Sequence, residues 1–143
     1  MKYILLLALL ISTAKAELPA KFVKAIHQVE TGGRTGNIIG DNGKAKGPLQ
    51  IHKCCWQDSK VAGKYEDCAD FNYSVKVMEA YLRRYCPGAV KENNFEIMAR
   101  TWNGGPAGIK NSSTKSYFQK VSKYLWIRLD IQPFYALEIL QWD

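Results

Sequence analysis

Apolar positions recur at helical spacing in four stretches of the chain. Phe22, Ala25, Ile26 and Val29 share one face of a first helix, opened near Pro19 and closed by Thr31-Gly32-Gly33. Phe71, Val75, Met78, Tyr81, Leu82 and Tyr85 trace a second stripe, with Asp70 as its cap and Cys86-Pro87-Gly88 as its stop. Phe95, Met98, Ala99 and Trp102 form a third, running from a cap at Asn94 to the breaker Asn103-Gly104-Gly105-Pro106. Tyr117, Phe118, Val121, Tyr124 and Leu125 make the fourth, capped by Ser112, Ser113 or Thr114. A shorter helical piece is expected over residues 54–61. Residues 38–51 read differently. Asn42-Gly43 is the favoured type I′ turn pair, Gly40 and Gly47 flank it, and Gln50 falls on a strand. No repeat or linker divides the chain, and after Arg128 the apolar, aromatic residues follow no clear period. The pattern predicts one mostly helical α+β domain with a small antiparallel hairpin.

The first residues stand apart from that domain. Met1-Lys2 is a short basic start, Ile4 to Ile11 is apolar, and Ala14-Lys15-Ala16 fits a cleavage site for export. Residues 1–16 therefore read as a secretory signal and 17–143 as the working domain, released outside the cell or into a lumenal compartment. The apolar run is too short for a permanent membrane span. Cys54, Cys55, Cys68 and Cys86 all follow the signal, and their even number suits disulfides in an oxidising compartment. Adjacent Cys54 and Cys55 would strain the backbone if joined, so each is expected to pair with one of the other two. A zinc site is disfavoured, because no C-x-x-C pair exists and the chain has 2 histidines. Losing Lys2 and Lys15 with the signal lowers the formal charge from +7 to +5. A cationic surface of this kind is drawn to anionic polymers such as bacterial walls and specifies no nucleic acid.

The candidate chemistry centres on Glu30. It borders the buried face of the first helix and sits in the last turn, where the helix dipole disfavours a negative charge. Partial burial acts in the same direction, toward a proton held near neutral pH. A general acid for a glycosidic leaving group needs this property. Asp41 supplies a second carboxylate if the hairpin folds back over the helix end. The separation of the two groups would then set retention or inversion. Gln50, Trp102 and Asn103 are candidates for binding sugar hydroxyls, N-acetyl groups and ring faces. His27 and His52 read as incidental polar residues, and Ser112 and Ser113 as caps.

Two blocks carry a family resemblance. Ala25-Ile26-His27-Gln28-Val29-Glu30-Thr31-Gly32-Gly33, with Gly47-Pro48-Leu49-Gln50-Ile51 and Trp56-Gln57-Asp58, resembles the active-site half of invertebrate-type lysozymes. Arg100-Thr101-Trp102-Asn103-Gly104-Gly105-Pro106-Ala107-Gly108, followed by Ser113-Thr114 and Tyr117, is similar to their second signature. The resemblance covers about residues 22–121. It extends more loosely to goose-type lysozymes and soluble lytic transglycosylases, so it implies a lysozyme-like fold. It also implies a cofactor-free, metal-free monomeric muramidase acting on the β-1,4 bond between N-acetylmuramic acid and N-acetylglucosamine, with Glu30 as acid and Asp41 as second carboxylate. The chain departs from the family in having four cysteines, a slightly different spacing before Gly47, and Trp102 where relatives more often carry His or Tyr. Two alternatives accompany this reading. One is a lytic transglycosylase that uses Glu30 alone. The other is a non-catalytic cationic protein that binds peptidoglycan.

Overall fold

A computed structural model of the protein describes residues 17–126. The expected signal at residues 1–16 and the segment after Trp126 lie outside the described residues. Among the described residues, six α-helices and three very short strands follow one another. Helix α1 spans Ala20–Thr31, and β1 (Ile39–Gly40), β2 (Ala45–Lys46) and β3 (Ile51–His52) come next. After them come α2 (Lys53–Ser59), α3 (Phe71–Tyr85), α4 (Pro87–Glu92), α5 (Phe95–Gly104) and α6 (Ser113–Leu125). The sheet is antiparallel in the order β1-β2-β3, with Gly40 opposite Ala45 and Ala45 opposite His52. The expected mostly helical α+β fold with a small antiparallel sheet is observed. No described helix is long and apolar enough to cross a membrane.

The helices pack through their apolar stripes. Helix α6 lies against both α1 and α5, while α3 contacts α2, α4 and α5. Phe22, Ile26, Val77, Met78, Leu82, Met98 and Val121 are fully buried where these faces meet, and Leu49 and Ile51 bring the sheet into the same core. Each such side chain contributes roughly 1.5–3 kcal/mol on burial. Phe22 stacks on Phe95 with ring centres 5.7 Å apart, joining the start of α1 to the start of α5. The caps at Asp70 and Asn94 form as the sequence predicts, accepting hydrogen bonds from the Tyr73 and Ile97 amides at 2.8 and 3.1 Å.

Several details differ from the sequence reading. The buried face of α3 is Ser74, Val77, Met78, Tyr81 and Leu82, whereas Phe71, Val75 and Tyr85 are only half-buried. Ser74 can sit in the core because its hydroxyl donates to the Cys68 carbonyl at 2.7 Å. Pro87 both stops α3 and opens α4, a position where its missing N–H costs nothing. Arg100 and Thr101 are buried in α5, while Phe95 and Trp102 are half-buried. Ser112 holds the N-cap position of α6 without a side-chain cap bond, and Asn111 before it accepts from the Ser113 amide at 3.0 Å and its hydroxyl at 2.8 Å. Tyr124, expected inside, is exposed. The hairpin turn is also wider than a two-residue type I′ turn. Asp41, Asn42 and Gly43 all have positive φ (46°, 52° and 90°), so the bend begins one residue early.

A second turn, residues 47–50, delivers the chain into β3. Gly47 has φ +78°, and a Cβ there would run into the Cys68 carbonyl, so both conformation and space demand glycine. Thr31 locks this turn to the end of α1, its hydroxyl donating to the Pro48 carbonyl at 2.9 Å. Gly47→Ala is expected to destabilise the fold by about 2 kcal/mol or more, by strain and backbone collision together. The midpoint of urea unfolding would read the loss.

Candidate active site

Between the sheet, α1 and the end of α5 lies a cleft of about 430 Å³. Glu30, Asp41, Gln50, Trp102 and Asn103 all line it, so the fold brings together every non-cysteine site candidate taken from the sequence. His52, Tyr81 and Cys54 line it too, and the sequence reading assigned none of them a role in the cleft.

Glu30 projects from the last turn of α1. The Tyr117 hydroxyl on α6 donates to its Oε1 at 2.6 Å, and Trp102 hydrogen-bonds it from α5. Burial raises the pKa of the Glu30 carboxyl above its ordinary 4.5, and the two hydrogen bonds only partly oppose that rise. The Tyr117 hydroxyl is itself held well above the ordinary tyrosine range, chiefly by burial and then by the Glu30 charge. It therefore stays a donor at every pH at which the protein would work. Trp102 also meets Tyr81 edge to face, with ring centres 6.0 Å apart, which steadies the indole in the cleft wall that Glu30 shares.

Asp41 starts the hairpin bend, and its half-exposed carboxylate lies 3.3 Å from the Nε2 of His52 on β3. Gln50 is not on a strand. It occupies the turn before β3 with φ +49°, and its amide donates to the Gly47 carbonyl at 2.9 Å. Its side chain also covers Gly40, where a Cβ would collide with it. Gln50 thus braces the two turns against each other while forming part of the cleft wall. Asn103 is exposed at the rim.

The expected disulfides are not formed in the structure, in which all four cysteines are free thiols. Cys54 is exposed at the cleft, whereas Cys86 is buried with its thiol hydrogen-bonded to Thr101. Burial pushes the Cys68 thiol up to about 11. It raises the Cys55 thiol further still. Among the described residues no group of three or more His, Cys, Asp or Glu side chains could hold a metal ion.

Comparison with known proteins gives this arrangement a context. The chain is 31% identical over 121 residues to a lysozyme of Magallana gigas, covering 82% of this chain and 88% of the relative. It is 33% identical over 102 residues to lysozyme 1 of Crassostrea virginica, covering 69% of this chain and 55% of that relative's length. The fold matches the crystal structure of the Meretrix lusoria lysozyme in complex with Aeromonas hydrophila PliI. That match has a TM-score of 0.64 at 26% identity, covering 74% of this chain and 89% of that one. No family model matches the chain. The fold and the relatives define a lysozyme-class glycoside hydrolase, and the chain belongs to the invertebrate-type lysozyme family.

The raised Glu30 pKa carries a stability signature. A carboxyl whose folded pKa exceeds its unfolded value favours folding below the unfolded pKa and loses that contribution as pH rises through the folded pKa. Glu30→Gln removes the penalty of a buried charge at neutral pH while keeping the side chain's shape. The variant is expected to melt above the parent at pH 7, with the advantage vanishing near pH 4. Calorimetric scans at the two pH values check this.

Proposed function

We propose that the protein hydrolyses the β-1,4 bond between N-acetylmuramic acid and N-acetylglucosamine in bacterial peptidoglycan, with Glu30 as general acid and Asp41 as second carboxylate. The observation that carries this reading is the half-buried Glu30 carboxyl lining an open cleft, oriented by Tyr117 and Trp102. A carboxyl with a raised pKa holds its proton where an exposed one would have lost it, and it delivers that proton to the glycosidic oxygen as the bond breaks. Tyr117 and Trp102 favour the carboxylate that remains, so they stabilise Glu30 after transfer and limit how far its pKa rises. Asp41 supports the positive charge that develops on the sugar, or aligns the incoming water. Trp102 and Asn103 offer a ring face and an amide to the glycan. The lysozyme relatives support the enzyme class.

The positive formal charge, +7 for the whole chain and still positive once Lys2 and Lys15 leave with residues 1–16, suits an anionic wall as target. The basic and apolar pattern of residues 1–16 supports export, where the enzyme would serve defence or the digestion of bacteria.

Glu30→Gln is expected to lower kcat on peptidoglycan by roughly 10²–10⁴-fold, the usual contribution of a positioned acid. Product masses complete the test. Reducing-end sugars released by the parent fit hydrolysis, and anhydro ends would instead mark a lytic transglycosylase. A Glu30→Gln variant as active as the parent would overturn the assignment.

A further inference from the structure

We propose that His52 is the positioning residue for Asp41, holding the second carboxylate in the cleft through a direct imidazole–carboxylate contact. The inference rests on the proposed role of Asp41 and extends it to a residue that the sequence presents as incidental.

The sheet register creates the contact. Gly40, Ala45 and His52 lie side by side across the three strands, and Asp41 follows Gly40 directly. The two residues beside His52 in this row are therefore the smallest available, glycine and alanine, and neither carries a bulky side chain. His52 Nε2 comes within 3.3 Å of Asp41 Oδ2, with the two side chains 46% and 53% exposed. Ala45, His52 and Asp41 all line the same cleft as Glu30.

Asp41 needs such a partner. It opens a bend of three successive positive-φ residues between strands of two residues each. This short frame sets the backbone and leaves the side chain free to turn. Among the described residues, His52 is the one ion-pair partner of the Asp41 carboxylate, and Asp41 is the one ion-pair partner of the His52 ring. By comparison, Glu30 is held from two helices. An imidazole at ion-pair distance from Oδ2 disfavours the rotation that would carry the carboxylate out of the cleft. A misplacement of about 1 Å at a catalytic group can cost up to about 100-fold in rate.

The test is a kinetic cycle on peptidoglycan with His52→Ala, His52→Gln, Asp41→Asn and the His52→Ala/Asp41→Asn double variant, each checked for the parent's melting behaviour. The expected result is a kcat about 10–100-fold lower in His52→Ala with KM within about twofold. His52→Gln, which carries an N–H donor at similar reach, should recover most of the loss. In the Asp41→Asn background, His52→Ala should cost nothing further. If Asp41→Asn is impaired while His52→Ala matches the parent, the role of Asp41 stands and this inference falls. If His52→Ala costs the same factor with or without Asp41, His52 acts elsewhere and the inference also falls. A fully active Asp41→Asn would remove the Asp41 assignment and this inference together.

Discussion

One hydrogen bond, from the Tyr117 hydroxyl to the Glu30 carboxyl, joins residues 87 positions apart, and the working geometry of the cleft depends on it. It can form only if α6 lies along α1, and the burial of Phe22, Ile26, Val121 and Leu125 provides that packing. The same packing withdraws Glu30 from water. Burial pushes the carboxyl toward its neutral form, while the tyrosine and the indole pull it back toward the anion. Burial wins, so the group is neither a surface carboxylate nor an unpartnered buried one. It is a proton donor with two built-in hydrogen-bond donors to stabilise the negative charge it acquires.

The second constraint is Arg100. A buried cation costs several kcal/mol unless its donors are paired, and here they are widely paired. Nε donates to Thr114 Oγ1 at 3.0 Å, one terminal nitrogen to Glu96 at 2.8 Å, and the other to the carbonyls of Ile109 and Asn111. This network fastens α5 to the loop before α6 and to the first turn of α6. Gly108 permits the close approach, since a Cβ there would strike the Arg100 carbonyl. Trp102, two residues beyond Arg100, and Tyr117, one turn beyond Thr114, reach Glu30 from elements that this one guanidinium holds together. Stability and site geometry share a single anchor.

How much of this was legible in the sequence follows from the range of each interaction. The 3.6-residue period placed α1, α3, α5 and α6, because their apolar faces are encoded locally. Glu30 stood out for the same reason, as an acid at the border of such a face. Helix α4 was missed because Pro87 reads as a stop, and six residues give too little periodicity to override it. Gln50 was misplaced onto a strand because its positive φ is set by the turn that Gly47 opens, and glutamine has no local preference for it. Arg100 carries no sign in the sequence that its partners lie as far as 14 residues away. His52 and Tyr117 illustrate the limit best. Their partners are chosen by strand register and by helix packing, and neither is written in the residues beside them. The end of the first helix and the Gly-rich hairpin, together with the lysozyme-like resemblance, supplied Glu30 and Asp41, and the structure supplied the residues that hold them.

The central claim is that the fold keeps a proton on Glu30 above the pH at which a solvated glutamate would lose it. Titration of the Glu30 side-chain carboxyl carbon by NMR, with Glu30→Gln as the assignment control, tests that claim most directly. The account predicts a midpoint clearly above 4.5 for this one carboxyl. A midpoint at or below 4.5 would mean that the hydrogen bonds from Tyr117 and Trp102 outweigh burial. Glu30 would then be a held anion instead of an acid.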